Sequence, residues 1–210
     1  MQNKADFLDI IYTTRAIRKF TQQRVPNESV RKILEAATQA PSGGNRQPWR
    51  FLVIRDQDQK EKIGAAYLKG ALEYQQKTLQ QFKEEQEHNS NSYLSLHFSE
   101  SPVVIVVCAE YRPLVGDKLG ILSQPSSIYP AVQNLLLAAN YMGLGGVLTT
   151  NHRYHEAEIK TSLGIPESWV ILTMIPLGYP AEKHGKKSTT VQKIIIIFLL
   201  LLFYSSALFY

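Results

Sequence analysis

Cysteine is nearly absent from this 210-residue sequence, which contains a single one, Cys108. A lone cysteine cannot form a disulfide within its own chain, which excludes a secreted domain held together by disulfides. Cys108 ends the apolar run 103–108, where a small buried side chain is expected rather than a nucleophile. Repeats and glycine- or serine-rich linkers are also lacking. Because 44% of the residues are hydrophobic and 20% are charged, the composition excludes wholesale disorder and predicts one globular domain.

The sequence also lacks the marks of several functional classes. Its net charge of +5 is small, and no basic face with interleaved aromatic residues indicates nucleic-acid binding. A mild positive charge is compatible with an anionic ligand but does not require one. The GxSxG motif of a serine hydrolase is missing. His152, His155 and Glu156 have the spacing of a metal-binding pair, but no second pair or cysteine cluster supports it. We therefore expect no metal site and an exposed polar helix there.

The two ends of the chain differ in character. Met1–Phe7 contains no apolar segment of a secretory peptide, so we expect a cytoplasmic protein. Residues 188–210 have no charge after Lys193 and fall slightly short of the roughly 20 apolar residues that a membrane span needs. Three interpretations stay open: a membrane-associated tail, a C-terminal arm, or a sequence that was not selected, such as the product of a wrong reading frame. We divide the chain into a domain at 1–187 and an atypical apolar tail at 188–210.

Hydrophobic periodicity predicts a mixed α and β chain around one sheet. One predicted helix starts at Asn27, and two others cover 128–142 and 152–163. The predicted strands cover 51–54, 103–108, 147–150 and 169–175. Gly143 is well placed to end the second of these helices. A long loop is expected through Arg112–Pro113 and Gln124–Pro125. The polar stretch 59–87 has only a thin apolar stripe, so we expect a mobile outer pair of helices rather than core.

Three short segments carry residues suited to chemistry. Thr13–Phe20 contains Arg15, Arg18 and Lys19 just after a short predicted helix. A guanidinium forms bidentate hydrogen bonds with phosphate, so closely spaced arginines suit a phosphorylated ligand. The alternative is a solvated basic turn. Ala40–Phe51 combines two glycines with serine, asparagine and glutamine, an arrangement that suits a flat heterocycle or an ordinary loop.

The third segment is Met142–Val147, which contains three glycines. Its spacing fails the GxGxxG pattern, and it follows a predicted helix rather than a strand. The glycines either cap that helix or let bare backbone lie flat against an aromatic ligand.

Taken together, the segments resemble the nitroreductase family of FMN-dependent oxidoreductases that use NAD(P)H. The resemblance covers about Asp6–Glu182 and also includes the blocks 131–139 and 177–180. It implies an α+β fold with a mainly antiparallel sheet flanked by helices. It further implies an obligate homodimer with FMN sites at the dimer interface.

The resemblance also implies which residues bind the cofactor. They are Arg15, Ala16, Arg18, Pro41, Ser42, Gly43, Asn45, Gln47, Leu144, Gly145 and Gly146. The arginines match contacts to the FMN phosphate and to the ribityl chain or pyrimidine edge, and 144–146 matches backbone that lines the flavin ring. The segment 41–45 matches a loop that reaches the flavin from the other subunit, and Gln47 either reaches it or braces that loop. The family usually has a basic residue at Thr14 and a serine at Ala16, so this chain departs there.

The implied reaction is carried by the cofactor. FMN accepts hydride from NADH or NADPH and passes electrons to a nitroaromatic, quinone or similar acceptor, in a ping-pong scheme. No side-chain acid or base is required, so no catalytic residue is predicted. The segment 59–87 is expected to cover the pocket and tune the choice of acceptor. The alternative is a non-catalytic protein of this fold that has lost FMN binding and that associates with a membrane through its tail.

Overall fold

A computed structural model describes residues 6–81, 90–110 and 120–182. The helices are α1 (Phe7–Thr13), α2 (Asn27–Thr38), α3 (Gln57–Gln81), α4 (Ser90–Leu96), α5 (Gly120–Tyr141) and α6 (Glu156–Leu163). The strands are β1 (Trp49–Ile54), β2 (Val103–Glu110), β3 (Gly145–Gly146) and β4 (Trp169–Gly178). Short 3-10 turns cover Gly43–Asn45, Phe98–Glu100 and Asn151–Tyr154.

The four strands form one sheet in the order β1-β2-β4-β3, and every neighbouring pair of strands is antiparallel. Helices cover both sides of the sheet. The residues of β2 from Val103 to Ala109 are therefore buried on both faces. The expectation of a mainly antiparallel sheet flanked by helices is therefore confirmed.

Alternate residues of β2 belong to two separate cores, as the two-residue period of a strand requires. Val103, Ile105 and Val107 pack in a cluster with buried residues of α2 and α5. Val104, Val106 and Cys108 pack on the opposite face with buried residues of α3 and α6. Cys108 is a buried hydrophobic residue, as expected, and desolvation raises the pKa of its thiol to about 12.

The expectation that 59–87 lies outside the core is wrong for its described part. Residues 57–81 form a single helix, α3, in which Ile63 and Ala66 are completely buried. Tyr67 stacks on Phe98 with 4.2 Å between ring centroids. A thin apolar stripe is enough to join the core here, because α3 covers this face of the sheet together with Leu94, Phe98 and Ile159. Residues 82–87 lie outside the described residues.

Three other boundaries also differ from expectation. The helix expected at 128 already begins at Gly120, and Pro125 and Pro130 lie inside α5. Pro125 and Pro130 are the sixth and eleventh residues of α5, so each removes one hydrogen bond within the helix. Packing of Ile128, Val132 and Leu135 in the core stabilises the helix through these positions. The strand expected at 147–150 is instead Gly145–Gly146, followed by a single bridge from Thr149 to Met174. Residues 111–119 of the expected loop lie outside the described residues.

The helix expected at 152–163 is a 3-10 turn followed by α6, and His152 is only 2% exposed. The expectation of an exposed histidine is thus wrong, because the turn folds the ring beneath β4. Its Nε2 lies 2.8 Å from the carbonyl oxygen of Ile171.

The predicted tail, 188–210, lies outside the described residues, and the domain boundary at 187 stays a prediction. In the described ranges, none of the helices combines the length and the apolar character that crossing a membrane requires.

Candidate functional site

The segment that contains Arg15 and Arg18 leaves the end of α1 and runs along β3. Ala16 forms a parallel bridge with Gly146, and the Ile17 N–H donates to the Gly146 carbonyl oxygen at 3.1 Å. The segment thus continues the sheet beyond β3. Two of the three predicted parts of the site, residues 15–18 and 144–146, therefore lie side by side.

This contact depends on the missing side chain of Gly145. Ile17 is 1% exposed, and a Cβ placed on Gly145 would lie 2.6 Å from its Cγ1 atom. Carbon atoms in contact are normally 3.5–4.0 Å apart, so any larger residue at 145 pushes Ile17 away. The glycine therefore permits a close approach between the two segments. Leu144 contributes only backbone here, since its side chain is buried in the core with α2 and α5.

Two side chains from distant parts of the sequence hold the ends of the cationic segment. At its start, the two protons of Asn140 Nδ2 are shared among the Ile10 carbonyl oxygen and the hydroxyls of Thr13 and Thr14, at 3.2, 3.1 and 2.9 Å. At its end, Glu182 Oε1 accepts from the backbone N–H groups of Arg18 and Lys19, at 2.5 and 3.2 Å. The backbone between these two contacts is fixed before any ligand binds.

The two guanidinium groups in this segment have no acidic partner within the described ranges. Arg15 Nη1 donates to the Thr14 carbonyl at 2.6 Å, while its Nε is buried without a hydrogen-bond partner. Arg18 Nη1 donates to the Ala16 carbonyl at a long 3.5 Å. Among the residues that the structure describes, no carboxylate forms an ion pair with either side chain. Two cations and an orphaned donor fit an anionic group such as a phosphate.

The predicted loop 41–47 adopts a strained, exposed conformation. Asn45 and Gln47 have positive φ angles of 52° and 47°, which is uncommon for residues other than glycine. The Gln47 N–H donates to Ser42 Oγ at 3.0 Å, and Gln47 Nε2 donates to Asn45 Oδ1 at 3.0 Å. Backbone strain of this kind persists where the surroundings enforce it and is concentrated at functional sites.

The loop lies at the opposite end of the sheet from the cationic segment. Trp49, two residues after the loop, pairs with Ala109 of β2, which pairs in turn with Val170 of β4. Gly145 pairs instead with Gly178, at the other end of β4. Val170 and Gly178 are eight residues apart on β4, which is about 26 Å of extended chain.

Helix α5 gives a second measure of the same separation. The Gly43 N–H donates to Ser127 Oγ at 3.2 Å, in the N-terminal half of the helix, whereas Asn140 holds α1 from the last turn. Ser127 and Asn140 are thirteen positions apart, which is about 20 Å of helix. The structure therefore brings residues 15–18 and 144–146 together and leaves residues 41–47 apart.

Sequence reasoning missed the residues that hold the site together. Ile17, Asn140, Glu182 and Ser127 each act through a partner distant in the sequence, and none has a local pattern that marks it. In contrast, the segments they hold were identified from arginine and glycine content.

His152 and His155 have the sequence spacing of a metal-binding pair. In the described portion of the chain, no three side chains of histidine, cysteine, aspartate or glutamate come together as potential metal ligands. Burial of the His152 ring lowers its pKa from the ordinary value of 6.5. Its Nε2 therefore carries the proton and donates to Ile171, and its Nδ1 is buried without a partner.

Comparison with known proteins gives a consistent result. The sequence pattern of the nitroreductase family matches residues 11–179. A protein from Methanothermobacter thermautotrophicus, named "Putative NADH dehydrogenase/NAD(P)H nitroreductase", is 34% identical over 88% of this chain and 83% of its own length. An iodotyrosine deiodinase from Thermotoga neapolitana is 28% identical over 85% of this chain and 90% of its own. A crystal structure of an iodotyrosine deiodinase bound to FMN and 3-iodo-L-tyrosine has the same fold. Its TM-score is 0.70 at 23% identity, over 88% of this chain and 95% of that one.

Proposed function

The chain belongs to the nitroreductase family, and on this basis we propose that it is an FMN-dependent oxidoreductase. It takes hydride from NADH or NADPH and reduces a nitroaromatic, quinone or similar acceptor. The observation that carries this proposal is the pair of arginines without acidic partners beside the backbone of Gly145–Gly146. A phosphate and a flat ring, joined in one ligand, satisfy both features.

In this proposal, Arg15 and Arg18 hold the FMN phosphate and its polar chain by charge-assisted hydrogen bonds. The backbone of residues 144–146 lies against the flavin ring, since Gly145 and Gly146 have no side chains to keep it at a distance. The bound FMN supplies the redox chemistry between nicotinamide and acceptor. The protein's part is to place the ring, to offset the negative charge of the phosphate and to exclude water.

We further propose that each site is completed by a second copy of the chain. Ser42, Gly43, Asn45 and Gln47 lie about 20 Å or more from the Arg15 segment, which is too far for both to surround one phosphate and ring within one protomer. A symmetric dimer brings the loop of one copy to the arginines of the other, twice. Exposed apolar side chains on α1 and α5, including Phe7 at 67%, Tyr12 at 52% and Tyr141 at 54%, are suited to cover such an interface.

The acceptor and the nicotinamide are expected to occupy one pocket in turn, which corresponds to a ping-pong scheme. Because relatives include an iodotyrosine deiodinase, a halogenated tyrosine belongs among the acceptors to be tried. We further propose that the enzyme works in the cytoplasm.

The test starts from the visible spectrum of the purified chain after it has been mixed with FMN and freed of excess cofactor. About one FMN per chain, bleached by NADH or NADPH in the absence of oxygen, is the expected result. Addition of nitrofurazone, a benzoquinone or 3-iodotyrosine should then restore the oxidised spectrum for the true acceptor class.

The matched variants are Arg15→Ala with Arg18→Ala, and Arg31→Ala as the control. The double variant should abolish FMN retention. Arg31 pairs with acidic neighbours on the surface of α2, so its loss should leave FMN retention unchanged. A wild-type chain that stays colourless in excess FMN would refute the proposal and favour the non-catalytic alternative.

A further inference from the structure

We propose that Asn140 is a positioning residue for the phosphate end of the flavin site, acting on Arg15 through Thr14. The proposal rests on the proposed function, because the phosphate it concerns is that of FMN. Asn140 lies in the last turn of α5 and reaches across to the end of α1.

The hydrogen-bond polarity at Asn140 is fully defined. The Thr13 hydroxyl donates to the Asp9 carbonyl, and the Thr14 hydroxyl donates to the Ile10 carbonyl, each at 2.6 Å. Each hydroxyl has one proton, which its carbonyl partner already takes. Both hydroxyl oxygens can therefore only accept a hydrogen bond from Asn140. The amide of Asn140 supplies two protons in that position, and a residue without a donor cannot replace it.

Thr14 in turn orients the guanidinium of Arg15. Thr14 is the first residue after α1, with an extended backbone of φ −63° and ψ 118°, so its carbonyl turns away from the helix. This carbonyl accepts from Arg15 Nη1 at 2.6 Å. It is the one hydrogen bond of that side chain among the described residues, and Nε is buried beside it without a partner. The direction of the Thr14 carbonyl therefore sets the direction of the free guanidinium edge.

The arrangement gives Thr14 a part in anion binding without a charge of its own. Thr14 contributes a hydroxyl that Asn140 binds and a carbonyl that Arg15 binds. The neighbouring arginine thereby has a fixed orientation. An oriented donor loses less conformational freedom on binding, which raises affinity without a new contact.

The test compares FMN with riboflavin, which lacks the phosphate, through quenching of flavin fluorescence by the purified full-length protein. Asn140→Leu removes the donors at nearly constant volume, and Thr14→Val removes only the hydroxyl. Either variant should weaken FMN binding about fivefold to tenfold, as expected for the loss of an oriented charge-assisted hydrogen bond. Riboflavin binding should not change. The double variant should bind FMN no more weakly than the single ones, because both changes break the same link.

Asn134→Leu is the matched control on the same helix. Its amide donates to the Ala36 carbonyl of α2 at 3.4 Å, away from the cationic segment, so neither ligand should bind differently. Equal weakening of FMN and riboflavin in the Asn140 or Thr14 variants would overturn the proposal, because it indicates a general structural role. Unchanged FMN binding in a folded Thr14→Val chain would also overturn it, even if Asn140→Leu fails to fold. A wild type that binds no FMN refutes the proposed function, and the positioning role falls with it.

Discussion

Substitution of Gly145 by alanine tests whether the cationic segment depends on close packing against β3. A Cβ at this position would lie 2.6 Å from Cγ1 and 2.8 Å from Cβ of Ile17. Relief of the overlap requires a shift of about 1 Å to reach an ordinary carbon–carbon contact. Ile17 is buried on its other side, so the segment that includes Arg15 and Arg18 must move with it.

The cost of this shift has two parts. Overpacking a tight contact costs about 1–3 kcal/mol. The Ile17 N–H lies 3.1 Å from the Gly146 carbonyl oxygen, and a shift of that size breaks this hydrogen bond at a cost of about 1 kcal/mol. We therefore expect the free energy of unfolding to fall by about 2–4 kcal/mol, which lowers Tm by roughly 5–15 °C in a chain of this size. FMN affinity should fall by more than about tenfold, because the arginines are displaced.

Gly143→Ala is the control for the introduction of a methyl group into the same turn. Gly143 has nothing within 4 Å of its Cβ position, but its φ of +73° is unfavourable for alanine. That variant should lose about 1 kcal/mol of stability from backbone strain and bind FMN like the wild type. Thermal unfolding and FMN titration of both variants separate the two causes. If Gly145→Ala binds FMN as tightly as Gly143→Ala, the packing argument for the site is refuted.

Three further predictions concern the buried side chains. The thiol of Cys108 should resist iodoacetamide at pH 8 in the folded protein and react in urea, because its pKa is raised to about 12; rapid native labelling would contradict its burial. Burial lowers the pKa of His152, so this side chain takes up a proton in the unfolded state at a higher pH than in the folded state. Urea titrations should therefore show that the free energy of unfolding falls as the pH drops below 6.5. His152→Gln should reduce that slope, and an equal slope would assign the pH dependence to other groups. Gly70→Ala places a Cβ against the Asn151 carbonyl oxygen and should lower stability by at least about 2 kcal/mol, whereas a smaller loss would mean that α3 can shift freely.

The three candidate segments could be proposed from the sequence because each is continuous and rich in residues with distinctive chemistry. Arginines at 15 and 18 and glycines at 145 and 146 indicate a ligand type without any knowledge of the fold. The contact between segments 15–18 and 144–146 was not predictable from local sequence. It depends on hydrogen bonds such as that of Asn140 with Thr14, which are 126 residues apart.

The fold was predictable where periodicity is strong and less so where tertiary packing decides. The run 103–108 correctly predicts a strand buried on both faces. Residues 59–67 look like a polar outer helix, yet Ile63 and Ala66 complete a core, because the sheet face beneath them needs covering. At Pro125, a local helix-breaking tendency gave the wrong start for α5.

The most direct test of the account is complementation between two inactive chains. One carries Arg15→Ala with Arg18→Ala. The other carries Asn45→Gly with Gln47→Gly, which keeps the positive φ angles of the loop and removes its amides. Neither chain alone should retain FMN. If each site combines the arginines of one copy with the loop of the other, every mixed dimer has one intact site. Random mixing during co-refolding should then restore about one FMN per four chains. Complete absence of FMN from the mixture, with mixed dimers shown to form, would contradict a site shared between two copies.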